Sequence, residues 1–309
     1  MSNAAFRLAV VGIGAVGGIL AGPLVRAYGG AVSLVARGAR GRYLREQGLT
    51  LHSDLYGEFT VRPGTVAETA AQLPVQDFVL VCVKNNTLRD AAEQIRPIVG
   101  PNTVVVPVMN GVTAAQVLRD ALPVGKVAGS VIYTVSAALS DYSITQSGKF
   151  THLFVDDLQG DGDMARLTEI MKGAGIDWRP TGDILTAVWS KYVFNCAYNT
   201  MTAARATDAG HLKKEPLRTD FAAILAEARA VGCHCGANLP EDMVPRELHR
   251  LDKTVDSSES SLSRDFAKKR SGEMEVFSGD LVRQAEALGM EVPTLKGYYE
   301  ELLTLAKDF

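Results

Sequence analysis

Three polar side chains recur at four-residue intervals in an otherwise apolar stretch, Trp189-Ser190-Lys191-Tyr192-Val193-Phe194-Asn195-Cys196-Ala197-Tyr198-Asn199. At about 100° per residue on an α-helix, positions 191, 195 and 199 drift by only about 40° a step and share one face. A solvated helix face would also produce such a stripe, but Trp189, Tyr192, Phe194 and Tyr198 leave little room for one. A buried polar stripe must be satisfied or functional. When hydride reaches a ketone carbon, an acid must protonate the developing alkoxide, and a lysine ammonium both donates that proton and stabilises the charge. Lys191 is therefore the candidate acid. Asn195 and Asn199 are candidates to orient it or to bind substrate hydroxyl and carboxylate groups.

A hydride donor has its own signature in Gly12-Ile13-Gly14-Ala15-Val16-Gly17, which follows the apolar run Leu8-Ala9-Val10-Val11 and opens a helix-like stretch reaching about Tyr28. In that context the first glycine makes a tight turn, the second lets backbone approach a pyrophosphate, and the third allows close helix–strand packing. The N–H groups at the helix start then hold the anion. Outside that context the motif would read as a packing turn. Ala31 to Ala36 reads as the second strand, and its end carries Ala36-Arg37 where an NAD-binding chain would carry a carboxylate for the ribose 2′-hydroxyl. A guanidinium suits a 2′-phosphate instead, so Arg37 argues for NADP. Lys84, directly after the apolar run Phe78 to Val83, stands where it can meet the same phosphates or the substrate.

The elements that must position these residues are legible in outline. Phe78 to Val83 and Thr103 to Val108 are near-continuous apolar runs, as expected of parallel strands covered on both faces. Leu49 to Leu51 and Phe59 to Val61 suggest a hairpin-like excursion, and Val127 to Val135 and His152 to Val155 are expected to extend the sheet. After about Trp178 helical periodicity takes over, with helices expected near 184–205, 215–236, 241–252, 258–270 and 273–289. The breakers Arg179-Pro180-Thr181-Gly182-Asp183 mark a boundary. The expectation is α/β plus all-α: a Rossmann-type parallel-sheet domain over residues 1–180, a helical domain over 181–309, and a cleft between them. Met1 to Ala5 reads as a disordered start.

Composition narrows the function classes. The 309 residues are 47% hydrophobic and 22% charged, with 32 basic against 35 acidic side chains and no basic stripe, so nucleic acid and anionic membranes are poor partners. The uncharged stretch from Leu8 to Val25 could pass for a signal peptide or membrane span, but Gly12, Gly14, Gly17, Gly18, Gly22 and Pro23 suit strand, turn and helix better. Four cysteines, at 82, 196, 233 and 235, need no disulfides in a chain that buries its own core, so a reduced cytoplasm is expected. Cys233-His234-Cys235 lacks further ligands at metal-site spacing, so no metal is expected. Cys82 reads as a small buried hydrophobe. Leu281, Leu288 and Leu302 read either as core or as the surface of a homodimer.

The motifs Gly12-x-Gly14-x-x-Gly17, Val83-Lys84, Met109-Asn110-Gly111, Lys191-x-x-x-Asn195-x-x-x-Asn199 and Ser260-Ser261-Leu262-x-x-Asp265 followed by Glu273 together resemble the ketopantoate reductase family, in order and over nearly the whole chain. The resemblance implies NADPH-dependent reduction of 2-dehydropantoate to pantoate in pantothenate biosynthesis. By position, Lys191 resembles the family's catalytic lysine and Glu273 its glutamate on the substrate hydroxyl. Asn110 resembles the asparagine between nicotinamide and substrate, Asn195 and Asn199 those on the lysine helix, and Ser261 a carboxylate-binding serine. Arg37 and Lys84 resemble its adenosine-phosphate contacts.

Ser261 and Glu273 cannot meet on one continuous helix, which would separate them by about 18 Å along the axis and about 120° around it. Ser271-Gly272 supplies the break, putting Glu273 in the first turn of a new helix, where a carboxylate is favoured. The chain also departs from the family: Ala209 and Ser278 stand where members carry asparagines, and Glu275 where they carry aspartate. Altered pocket hydrogen bonds follow, so the substrate is 2-dehydropantoate or a closely related 2-oxoacid. The alternatives are a 3-hydroxyacid dehydrogenase of similar architecture and a non-catalytic NADPH sensor, against which the lysine–asparagine stripe argues.

Overall fold

The computed structural model describes residues Ala5–Phe309; the expected disordered start falls largely on Met1–Ala4, outside the described residues. The chain divides into two compact units, one ending at Ile184 and one beginning at Leu185.

The first unit is built on a wholly parallel sheet in the order Thr65–Ala67, Val32–Val35, Leu8–Val11, Gln76–Val81, Val99–Pro107, Lys126–Val127. Alternate residues of each strand enter different cores: Leu8, Val10, Leu80, Val104 and Val106 pack on one face, and Ala9, Val11, Val79, Val81 and Val105 on the other. Burial on both faces is why these strands are continuous apolar runs. One face is covered by the helices Ala15–Tyr28 and Gly162–Gly173, the other by Leu88–Ile95 and Ala114–Ala121. Cys82 lies in the first core, where burial pushes its thiol up to about 12.

Register sets the functional edge. Val11 pairs with both Val35 and Val81, and Val81 pairs with Pro107, so four strands end level. Gly12 N donates to Val35 O (3.2 Å), Cys82 N to Val11 O (2.8 Å) and Val108 N to Val81 O (2.8 Å), which carries that alignment one residue into the loops. The chain leaves Leu8–Val11 and Gln76–Val81 in opposite directions across the sheet, and such a switch point opens a crevice at the carboxyl ends.

Two sequence expectations are corrected. Val127 to Val135 and His152 to Val155 do not extend the parallel sheet beyond the two-residue strand Lys126–Val127. Ser130–Ala138 and Ile144–Asp156 instead form an antiparallel hairpin in a second sheet, with Leu49–Ser53, Gly57–Val61 and Asp177–Thr181. Strands joined by a tight turn pair with each other first. The expected excursion, Leu49–Ser53 with Gly57–Val61, is one antiparallel pair of that sheet. Arg179-Pro180-Thr181 is likewise not loop: it completes the edge strand Asp177–Thr181, parallel to Ile144–Asp156, and an edge tolerates the missing proline N–H.

The second unit is helical: Ile184–Ala204, Ala209–Leu212, Leu217–His234, Met243–Lys253, Ser261–Phe266, Asp280–Ala287 and Pro293–Leu305. The helix expected over 258–270 shrinks to Ser261–Phe266, because Lys269 (φ +52°) and Gly272 (φ +55°) turn the chain out of helical geometry. That break is the one the Ser261–Glu273 spacing required. The next helix opens after Glu273, not on it, and its first stretch, Glu275–Gly279, is a π-helix that continues into Asp280–Ala287. Leu281 and Leu302 are fully buried core, while Leu288 is exposed. Among the described residues no helix is long and apolar enough to cross a membrane.

Candidate functional site

In the first unit the glycine loop divides three tasks among three residues. Gly12 has φ +88°, and a Cβ there would meet Val83 Cγ1 at 2.8 Å and Cys82 O at 2.9 Å. A Cβ at Gly17 would sit 2.0 Å from Gly12 O, so helix and loop touch only because no side chain intervenes. Gly14, the residue before helix Ala15–Tyr28, has nothing within 4 Å of the same construction. It faces open space, which is the room a pyrophosphate needs over first-turn N–H groups that no helical carbonyl can accept. Ile13 is buried and anchors the loop, while Ala15 and Val16 are half-buried.

Gly12, Ile13 and Gly14 border a cleft of about 530 Å³ whose rim is cationic: Arg37, Arg40 and Lys84 all line it, against one acidic side chain, Asp90. That volume is in the range of small-molecule sites. Arg37 and Lys84 are exposed, and Lys84 begins the turn Asn85–Thr87 with its carbonyl accepting from Thr87 N at 2.9 Å. Asn110 lies past the carboxyl end of Val99–Pro107 but does not border this cleft. Its carbonyl accepts from Asn85 Nδ2 at 2.7 Å, and Gly111 beside it takes φ +95°. Sequence reasoning passed over Arg40 and Asn85, although the Arg37-x-x-Arg40 spacing and the adjacency of Asn85 to Lys84 were both readable.

In the second unit Lys191, Asn195 and Asn199 do share one face of Ile184–Ala204. Lys191 and Asn195 are half-buried; Asn199 is 5% exposed. The Asn199 amide is spent internally: Nδ2 donates to Asn195 O (3.1 Å), and Oδ1 accepts from Ser261 Oγ (3.1 Å) and Leu262 N (3.4 Å). It therefore fastens the start of Ser261–Phe266 to the lysine helix. Ser260 caps that short helix by accepting from Ser263 N (3.0 Å) and itself accepts from Thr202 Oγ1 (2.7 Å), leaving Ser261 as the exposed serine of the pair.

Glu273 reaches the same neighbourhood from the break. Its carbonyl accepts from Val276 N (3.0 Å) and Phe277 N (3.1 Å), which fixes it at the helix entrance. Two bonds then stitch the π-helix to the lysine helix: Tyr192 Oη donates to Val276 O at 2.6 Å, and Thr200 Oγ1 pairs with Ser278 Oγ at 2.7 Å. Ser278 and Ala209, where the chain departs from the expected asparagines, are both fully buried, and the Ser278 hydroxyl is engaged by Thr200.

The electrostatics centre on Lys191. Burial, the largest influence, lowers its pKa from 10.5 to about 8; Glu273 pulls it up and Arg250 pushes it down. At neutral pH such a lysine is still mostly ammonium and close to the point where it gives up its proton, as a general acid should be. Arg250 was not singled out from sequence. It sits in the charge-rich helix Met243–Lys253, with its guanidinium 4.1 Å from the Phe194 ring centroid and 3.3 Å from Glu247 Oε2. Among the described residues no group of three His, Cys, Asp or Glu side chains could hold a metal ion.

Comparison with known proteins gives one family for both units. The family model described as Ketopantoate reductase PanE/ApbA matches residues 8–157, and its C-terminal counterpart matches 183–306. A 2-dehydropantoate 2-reductase of Mesorhizobium japonicum is 27% identical over 94% of this chain and 94% of its own length. The solved PanE/ApbA family ketopantoate reductase from Ralstonia eutropha JMP134 superposes with a TM-score of 0.89 at 27% identity, covering 98% of this chain and 99% of that one. A D-mandelate dehydrogenase, solved as a ternary structure with NADH and anilino(oxo)acetate, shares the fold with a TM-score of 0.84 at 17% identity over 98% of this chain and 99% of that one.

Proposed function

The chain belongs to the ketopantoate reductase family, a family of NADP-dependent oxidoreductases, and from that premise we propose that it reduces 2-dehydropantoate, or a closely related 2-oxoacid, to the 2-hydroxyacid in cytoplasmic pantothenate biosynthesis. The observation that carries the reading is the half-buried Lys191 on one helix face with Asn195 and with the Asn199 that bonds Ser261, where burial lowers the lysine pKa to about 8 and Glu273 favours its charged form. An acid so tuned matches the proton demand of ketone reduction.

In this reading residues 1–180 bind NADPH and residues 181–309 bind substrate. The Gly12-Ile13-Gly14-Ala15-Val16-Gly17 loop holds the pyrophosphate on backbone N–H groups, and Arg37 and Lys84 hold the adenosine phosphate. Bound there, NADPH supplies the hydride. Asn110 serves the nicotinamide end. Lys191 donates its ammonium proton to the carbonyl oxygen as the C2 carbon gains hydride, so the product is neutral at that oxygen and the lysine recovers a proton from solvent. Glu273 accepts from a substrate hydroxyl and keeps Lys191 charged. Asn195 offers its amide to substrate, Ser261 turns its one hydroxyl proton from Asn199 Oδ1 to the carboxylate, and Asn199 keeps the start of that short helix in place through Leu262 N.

The test is steady-state NADPH oxidation with 2-dehydropantoate, 3-methyl-2-oxobutanoate and other 2-oxoacids, alongside NADP reduction with 3-hydroxyacids. Turnover with a 2-oxoacid is expected. Turnover with 3-hydroxyacids alone, or with nothing, would overturn the proposal.

A further inference from the structure

Arg37 is the cation that the sequence nominates for the cofactor, but it is the less constrained of two arginines on the same rim. It is exposed, precedes helix Gly38–Glu46, and its guanidinium has no partner among the described residues. Arg40, three residues on, also borders the cleft and is half-buried. Its Nη1 donates to Tyr142 O at 3.1 Å and its Cζ lies 5.0 Å from the Tyr142 ring centroid. The ring is steadied in turn by Tyr43, with centroids 5.2 Å apart.

Both supports of Arg40 are rigid. Its helix is seated on the sheet edge at Gly41, where a Cβ would come within 2.2 Å of Ala36 O. Tyr142 belongs to a closed turn: Leu139 N donates to Ser143 O (2.9 Å), Tyr142 N to Leu139 O (3.1 Å), and the Asp141 carboxylate accepts from Ser143 N (2.9 Å) and Ser143 Oγ (2.7 Å). Tyr142 itself holds φ +69°, a conformation that a tyrosine keeps only when its surroundings impose it. The strand that follows begins at the buried Ile144, which packs against Gly18 of the glycine-loop helix. One Arg40 donor is committed to the turn and the others remain for an anion.

We propose that Arg40 is a specificity-determining residue for the cofactor, the preorganised half of a two-guanidinium clamp that reads the 2′-phosphate with Arg37. The inference rests on the NADPH reading above and adds a residue to it. A preordered guanidinium loses less side-chain freedom on binding than a solvated one, so Arg40 supplies discrimination that an exposed Arg37 alone would supply weakly. Besides Asp90 on the cleft wall, Glu68 is an opposing charge: its Oε1 accepts from Gly38 N at 3.3 Å at the start of the same helix, and it repels a phosphate brought there.

The experiment is calorimetric titration of the full chain with NADPH, NADH, adenosine 2′,5′-bisphosphate and 5′-AMP. Arg40→Met is expected to weaken NADPH and the bisphosphate by at least tenfold while leaving NADH and 5′-AMP within about twofold. Arg40→Lys, which keeps charge and stem but not the fork, is expected to fall between, and Glu68→Gln to tighten only the 2′-phosphorylated ligands. Equal loss for phosphorylated and unphosphorylated ligands would make Arg40 structural and overturn the clamp. Unchanged NADPH binding in Arg40→Met, or in Arg40→Lys should the first variant not fold, would overturn it as well. A wild-type chain that binds NADH as tightly as NADPH would instead defeat the cofactor reading on which the clamp stands.

Discussion

Replacing Lys191 by methionine should make the protein more stable and nearly inactive. The lysine pKa falls from 10.5 to about 8 on folding. At about 1.4 kcal/mol per unit, that shift caps the cost of holding the ammonium in the folded state at about 3 kcal/mol. Lys191 keeps part of its surface exposed, and screening there brings the expected gain to about 1–2 kcal/mol. The sign follows from which state binds the proton. Below about pH 8 both folded and unfolded chains carry it, and the folded state bears the whole cost. Between about 8 and 10.5 only the unfolded chain keeps it, so wild-type stability rises with pH relative to the variant, and above 10.5 the difference vanishes. Methionine preserves most of the stem and its packing. Urea unfolding of wild type and Lys191→Met at pH 7, 9 and 10.5 measures the difference, with NADPH-dependent turnover followed on the same samples. Activity should drop by roughly the 10²–10⁴-fold typical of a lost general acid. A variant less stable at pH 7, or a stability difference that ignores pH, would refute the argument that burial tunes this lysine.

Glu273→Gln removes the charge that raises the Lys191 pKa. The alkaline limb of the kcat profile should move from about 8 to lower pH, with activity recovering on acidification; a pH–rate series reads it, and an unmoved limb would separate Glu273 from the lysine. The glycine loop offers a paired test. Gly14→Ala, where a Cβ meets open space, should fold with wild-type thermal stability and bind nucleotide more weakly, whereas Gly17→Ala, with its Cβ 2.0 Å from Gly12 O, should unfold at lower temperature whether or not nucleotide is present.

What could be read from sequence and what could not divide along physical lines. The parallel strands declared themselves because burial on both faces forces runs such as Phe78 to Val83. The glycine loop was legible because its spacing encodes a local geometry that at Gly12 and Gly17 no other residue type fits. The lysine helix was legible as a face, but a shared face does not say where each amide goes: Asn199 points its hydrogen bonds at Asn195, Ser261 and Leu262. The second sheet was missed because its pairings join residues as distant as Leu51 and Ile144, a choice made by tertiary packing. Arg250 was missed because its stacking on Phe194 depends on the packing of two helices far apart in sequence. The same holds for Tyr142 under Arg40, about a hundred residues away.

The π-helix Glu275–Gly279 has a genetic consequence. A π turn holds one residue more than an α turn, so the segment behaves as an insertion retained at the entrance of a helix. Deleting any one of its residues would let it rewind as α-helix without a break in backbone hydrogen bonding. Five residues in the wide turn and four in an α turn sweep nearly the same angle, so the flanks would keep almost their present phase. Glu273 and the buried Leu281 would hold their directions, and the loss would fall on the wide turn itself, where Val276 O and Ser278 Oγ meet Tyr192 and Thr200. Such an in-frame deletion would spare the course of the helix and cost only the grip of this segment on the lysine helix, which makes its length as much a part of that grip as the identity of its residues.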